Sequence, residues 1–362
     1  MRATMKHVAE LAGVSIKTVS NVVNGFEHVT PETRRRVQDA IDELGFVPNG
    51  TARSLRIGRS GVVALALPEL HAPYFAELAH HVVRAARTHG WTILVDETRG
   101  ELQRERLAAS GIRPQLIDGL IFSPLALQAR DLPDAGTGPP MVLLGERVTG
   151  ASVDLVTVDN HAVAGTAVEH LLALGRRRVA AVGVQTTPVA ETARLRLAGY
   201  RSAVERAGAA RHPALEVPVQ RWHRADGADA ARALLAAPRP PDAVLCFNDL
   251  LALGMLRGLA EAGVRVPDDV AVIGVDDVDD GRYAHPSLST VALDKRQIAD
   301  VAVELLAARV AGDGGPARTV TAGHRLVVRE STAGVEGRAE GLPDVVARAV
   351  RPQRSRRAPS HG

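Results

Sequence analysis

The chain has 362 residues, 46% hydrophobic and 23% charged, with mean hydropathy near zero and a net charge of +3, a size that suits a small domain joined to a larger two-lobed one. No run approaches the ~20 apolar residues needed to span a bilayer, and the N-terminus reads as a helix cap and not a signal peptide, so a soluble, cytoplasmic protein is expected. The single cysteine, Cys246, excludes an internal disulfide and any cysteine-rich zinc centre.

Three short helical patterns open the chain. Thr4, Ser15 and Thr30 each stand where an N-cap is needed, and Pro31 suits a first helical position that has no use for an N–H. Apolar residues recur at helical spacing, Val8 with Leu11 and Ala12, Val19 with Val22 and Val23, and Val37 with Ala40, Ile41 and Leu44, which predicts a three-helix core. Gly13-Val14 forces a sharp turn between the first two helices, the helix-turn-helix arrangement whose second helix lies in the DNA major groove. On that helix, Ser15 to Asn24, the valines face inward and Ile16, Lys17, Ser20, Asn21 and Asn24 face out. Most of these carry groups that bond base edges or phosphates. Arg34, Arg35, Arg36, Arg53, Arg56 and Arg59 are candidate phosphate partners. Residues 49–56 form a fourth helical pattern of poor propensity, marginal alone in water.

From Gly61 the pattern becomes short apolar runs alternating with helical stretches. Val62–Leu67, Trp91–Val95, Leu120–Phe122 and Met141–Leu144 make one series; Val179–Val182, Ala243–Phe247 and Val270–Ile273 make a second after Asp159. This is the signature of doubly wound parallel sheets, one per lobe, and an α/β fold class. Ligands of such sheets bind at the carboxyl ends of strands, which singles out His71, Tyr74, Phe75, Asn248, Asp249 and Asp276. Asp249 is expected to serve as the N-cap of the following helix, and Asp277, Asp279 and Asp280 beside Asp276 allow a plain acidic loop. The tail, residues 335–362, is rich in Arg, Gly, Pro and Ala without an apolar period and reads as disordered. It carries six Lys or Arg against three Asp or Glu, and residues 1–59 carry nine against six, leaving a mildly acidic middle. Such a partition is the footprint of a DNA-binding module on a regulatory body.

Val8-Ala9-Glu10-Leu11-Ala12-Gly13-Val14-Ser15, Thr18-Val19-Ser20, Val22-Val23-Asn24, Val29-Thr30-Pro31-Glu32-Thr33, and Pro48-Asn49 followed by Ala52-Arg53-Ser54-Leu55 resemble the headpiece of the lactose-repressor family of bacterial transcription regulators. The resemblance extends to about Gly334. It implies a headpiece over 1–48, a hinge helix and linker over 49–60, and a periplasmic-binding-protein-like core over 61–334 whose chain crosses between lobes near residues 161, 290 and 322. It implies DNA contacts from Ile16, Lys17, Thr18, Ser20, Asn21, Asn24, Asn49, Ala52, Arg53 and Leu55, with Leu55 wedged into the minor groove. It also implies effector contacts from Tyr74, Phe75, Asp159, Arg196, Trp222, Asn248 and Asp276. That set suits a sugar: carboxylates accept from hydroxyls, Arg and Asn donate, and aromatic rings cover a C–H face. Ala190 stands where purine-responsive members carry a ligand-binding arginine, which favours a sugar over a purine.

The expected function is a homodimeric repressor whose affinity for a palindromic operator is switched by a small effector, without cofactor or metal. Inducer and corepressor action are equally open. A sugar-binding transport component would need an export signal and no basic headpiece. An enzyme would need a nucleophile elbow, a phosphate-cradling glycine loop or a metal-ligand cluster, and the 13 histidines show no metal spacing.

Overall fold

The computed structural model describes residues 3–23, 26, 28–46, 59–111, 116–133, 137–148, 152–187, 190–209 and 211–334. The chain divides into two compact units, Met1–Gly61 and Val62–Gly362. The first holds α1 (Met5–Ala12), α2 (Ile16–Val23) and α3 (Pro31–Glu43). Thr4 accepts from the His7 N–H, Ser15 from Thr18 and Thr30 from Thr33, so each helix begins where its cap residue predicts. Val8, Ala9, Ala12, Val19, Val22, Val37, Ala40 and Phe46 form the buried core. Leu11, expected inside, is 47% exposed, and Ala9 takes its place. Three thin helices close on small residues, and Leu11 falls just past the edge of the buried stripe.

The second unit consists of two lobes. Its elements run β1 (Val62–Leu67), α4 (Pro73–Ala86), β2 (Thr92–Glu97), α5 (Leu102–Ala109), β3 (Gly119–Phe122), β4 (Met141–Leu144) and β5 (Asp154–Val158). They continue with α6 (Asn160–Ala173), β6 (Val179–Val184), α7 (Glu191–Arg206), β7 (Glu216–Pro218), α8 (Arg224–Leu235), β8 (Ala243–Cys246), α9 (Asp249–Glu261), β9 (Ala271–Val275), α10 (Asp280–Tyr283) and β10 (Ser289–Leu293). The last are α11 (Lys295–Val310), β11 (Thr319–Ala322), β12 (His324–Val327) and α12 (Glu330–Ala333). Among the described residues there are two six-stranded sheets, β11-β5-β4-β3-β1-β2 and β12-β10-β9-β8-β6-β7. All neighbours pair parallel except β10 and β12. The central strands are buried on both faces, as their continuous apolar runs require.

β2 departs from the expected buried strand. Among the described residues it lies at the sheet edge, with a strand neighbour only in β1, and Leu94 and Val95 are 47% and 37% exposed. The chain passes between lobes at Asp159, Asp294 and Gly323, each within a few residues of the expected positions. Asp159 (φ −74, ψ 82) and Asp294 (φ −75, ψ 75) share one backbone conformation, and each caps the helix it starts. Gly323 closes the third crossing by accepting from the Asp294 N–H at 3.0 Å. α8 and α9 pack so closely that a Cβ on Gly254 would lie 1.9 Å from the Arg224 carbonyl oxygen. That approach fixes the start of α8 at the cleft.

Candidate functional site: an interlobe cleft and a helix-turn-helix surface

A cavity of about 510 Å³ lies between the lobes, within the size range of small-molecule sites. Much of its wall comes from segments at the carboxyl ends of parallel strands: Tyr74 and Phe75 in the first turn of α4 after β1, Ser123 after β3, Glu146 after β4, Trp222 after β7, Asn248 after β8 and Asp276 after β9. Arg196, from the middle of α7, is 4% exposed and organises the floor. Its Nε donates to Asn160 Oδ1 at 2.7 Å, its Nη1 donates to the Phe247 carbonyl, and its Nη2 stands 3.9 Å from Asp276. The guanidinium lies 5.3 Å from the Trp222 ring centre, a cation–π geometry. Trp222 is held in turn by Nε1 donating to the Gly183 carbonyl at 2.9 Å and by an edge contact with Phe247.

Asp276 is buried and sits at φ 115, in the left-handed region that side chains rarely adopt. Such strain persists only where surroundings enforce it. Here Lys295 Nζ donates to both the Asp276 and Asp277 carbonyls, at 2.6 and 3.0 Å. Burial pushes the Asp276 carboxyl up to about 6, against the pull of Arg196 and Lys295. Its acidic neighbours go elsewhere. Asp277 pairs with Arg329, Arg325 and Arg282, and Asp279 and Asp280 are exposed. The plain acidic-loop reading therefore fails for Asp276 alone.

Two expected roles change. Asp159 is exposed and outside the cleft wall; its Oδ1 accepts from the Ala162 N–H at 2.9 Å as the cap of α6, and Asn160 beside it lines the cleft. The cap of α9 is Asn248, which accepts from the Leu251 N–H and donates to the Trp222 carbonyl while lining the cleft. Asp249 is instead fully buried, accepting from the Val278 N–H at 2.9 Å and the Thr290 hydroxyl at 2.7 Å, and so anchors the loop that carries Asp276.

Glu146 was not visible as a site residue in the sequence. Its carboxylate accepts from Asn160 at 2.6 Å and Thr192 at 2.8 Å, joining the first lobe to the second, and burial raises its pKa. Glu105 was also missed. It is fully buried and accepts from the N–H groups of Leu125, Ala126 and Leu127 at 2.8, 2.9 and 2.7 Å, fixing the loop after β3 that forms one rim. Only spatial proximity reveals either residue.

On the first unit, α2 presents Ile16, 50% exposed, and exposed Lys17, with Thr18, Ser20 and Asn21 half-buried. Asn24, Asn49, Ala52, Arg53, Arg56 and Leu55 lie outside the described residues. Arg36 Nη2 donates to the carbonyls of Ala12 and Gly13 and Arg34 to that of Phe26, so both serve the turns; Arg35 and Arg59 are exposed. Cys246 is buried in β8, and burial pushes its thiol up, leaving it a poor nucleophile. No helix among the described residues is long and apolar enough to cross a membrane.

A helix-turn-helix unit combined with a two-lobed α/β core around an interlobe cleft defines a ligand-regulated DNA-binding protein. Residues 4–49 match the profile of bacterial regulatory proteins of the lacI family, and residues 168–332 that of a periplasmic binding protein-like domain. The HTH-type transcriptional repressor PurR of Mannheimia succiniciproducens is 31% identical over 337 residues, covering 91% of this chain and 98% of that protein. The ribose operon repressor of Escherichia coli is 33% identical over 312 residues, covering 85% and 93%. Among solved structures, the Lac repressor dimer bound to operator and the anti-inducer ONPF is 28% identical, with TM-score 0.79 over 92% of this chain and all of that one. The transcriptional regulator CelR in complex with cellobiose is 32% identical, with TM-score 0.67 over 91% and 100%. The chain belongs to the LacI family of bacterial transcription regulators, and it is an effector-regulated, DNA-binding repressor. Its relatives are transcription regulators and not enzymes.

Proposed function

We propose that the protein is a cytoplasmic homodimer that binds a palindromic operator through α2 and the segment 49–56, and that a sugar or sugar derivative held between the lobes sets its operator affinity. The observation that carries the effector class is the arrangement on the cleft floor. Asp276 offers acceptor oxygens, the Arg196 guanidinium presents Nη2 as a donor beside it, and Trp222 and Phe75 supply apolar plates. Hydroxyl groups on a ring match that alternation. The cellobiose complex of CelR and the name of the ribose repressor point the same way. The likeness of Tyr74-Phe75-Ala76-Glu77 to purine-responsive members of the family supports a purine as second reading, weakened by Ala190, which opens α7 without a side chain that can hold a ligand.

Exposed Leu94 and Val95 on the free edge of β2 support pairing of two copies, because an uncovered apolar edge invites another chain. The effector acts by population shift: it prefers one lobe arrangement, and that arrangement sets the spacing of the two DNA-binding segments.

The test is a thermal-shift screen of the full-length protein against sugars, polyols and purines, followed by operator binding with each hit. A sugar that raises the melting point and changes operator affinity is the expected result. A response to purines alone would replace the effector class, and a normal response from Asp276→Ala would remove the cleft assignment.

A further inference from the structure

At the mouth of the cleft, three metal-ligating side chains from two lobes converge. Glu69 and His71 follow β1 on the first lobe; His223 is the residue before α8 on the second. One ligand atom from each lies within 4.8 Å of the other two. His71 Nε2 stands 3.8 Å from one Glu69 oxygen and His223 Nε2 3.6 Å from the other. The two imidazoles are nearly parallel, 7° apart with centroids 5.7 Å apart, so both rings address the same carboxylate.

We propose that Glu69, His71 and His223 form a binding site for a divalent transition cation of the zinc type, which ties the two lobes together at the entrance to the cleft. Two imidazoles and one carboxylate are a standard zinc donor set, and three protein ligands leave a fourth position open. Tetrahedral bonds of about 2.0–2.2 Å place ligand atoms roughly 3.3–3.5 Å apart. The histidine distances run to different Glu69 oxygens, and the three ligand atoms lie within 4.8 Å of one another, so closing on a cation takes side-chain rotations of up to about 1.5 Å. His71 and Glu69 are solvent-accessible, so a cation enters from bulk water without crossing the core. Softer imidazole donors favour zinc, copper or nickel over magnesium or calcium.

The two histidines are 152 positions apart in sequence, and one sits on each side of the cleft. The cation binds only when the lobes adopt this arrangement, and it stabilises that arrangement by mass action. Glu69 and His223 also line the cavity, so the cation stands at its wall. Any effect on operator affinity rests on the reading of the cleft as an effector site; cation binding does not.

The experiment titrates metal-stripped full-length protein with Co²⁺, whose visible bands report coordination by protein ligands, and then displaces it with Zn²⁺, without DNA or effector. Saturation at one equivalent per chain is expected. His71→Ala and His223→Ala should each weaken binding by at least about tenfold, since even an outer hydrogen bond to a ligand is worth that much. The double variant His80→Ala/His81→Ala, on α4 away from the cluster, should leave binding unchanged. Zn²⁺ should raise the melting point of the wild type and not of His223→Ala. Absence of saturable binding, or affinity unchanged in both single variants, overturns the site. Loss with His71→Ala but not with His223→Ala overturns the bridge between lobes. Circular dichroism of each variant confirms its fold, and neither histidine is buried.

Discussion

Glu146 of the first lobe accepts a hydrogen bond from Asn160 of the second at 2.6 Å, at the back of the cleft and next to a chain crossing. Asn160 in turn accepts from Arg196, which faces Asp276. Lobe closure and the ligand-binding groups therefore share one buried polar network. Removing any member leaves another without its partner, which costs more than the bond contributed.

The network makes stability depend on pH. Burial raises both Glu146 and Asp276, the latter to about 6 from an ordinary 3.8. A carboxyl raised on folding stabilises the native state below its unfolded value, and that contribution is lost as pH rises through the folded value. For Asp276 the window runs from about 4 to above 6, with an upper bound of about 3 kcal/mol. Asp276→Asn should flatten that part of the profile and be no less stable than the wild type at pH 8. Urea unfolding at pH 4, 6 and 8 measures this. A wild-type profile that climbs from pH 6 to 8 by an amount abolished in Asp276→Asn would reverse the sign.

Gly13 caps the end of α1 in the turn to α2, at φ 62, and a Cβ there would meet Arg36 Nη2 at 3.1 Å. Gly13→Ala should destabilise the first unit by about 1–2 kcal/mol through left-handed strain, plus displacement of Arg36 from the carbonyls it bridges. Unfolding followed by headpiece signals should detect the loss, while the unit starting at Val62 melts unchanged.

Asn21 lies in the second half of α2 and is half-buried. Asn21→Ala should weaken operator binding by about 1–3 kcal/mol and relax preference at one base pair. Competition binding against a set of single-base operator variants reads both effects. Equal loss on every sequence would assign Asn21 to phosphate.

Glu105 holds three consecutive N–H groups of the loop after β3. Glu105→Ala should cost about 3 kcal/mol or more, since bonds to a charged acceptor are worth about 1.5–3 kcal/mol each and the freed donors lose part of their solvation. Chemical denaturation gives the loss, and faster hydrogen exchange at 125–127 locates it. Unchanged exchange there would show that the loop is held by other contacts.

The caps of the three headpiece helices, the turn at Gly13 and most of the central strands were readable from local chemistry. A hydroxyl before a helix, a glycine after one and a continuous apolar run act over a few residues, where sequence neighbours are spatial neighbours. β7 and β11 were not readable: one is three residues ending in Pro218, the other is Thr-rich, and pairing with neighbouring strands alone makes them strands. Resemblance to a known family supplied Arg196 and Trp222, which no local pattern marks.

By itself the sequence determined the headpiece helices, the helix-turn-helix, most of the central strands and the alternation that builds parallel sheets. Tertiary structure alone decided which polar groups meet. It set Asp276 against Arg196, separated it from the three aspartates that follow, linked Glu146 to Asn160, and brought His71 to His223 across the cleft. Backbone and capping energies depend on adjacent residues. Burial, ion pairing and coordination depend on distance in space, which the order of residues encodes only through the completed fold.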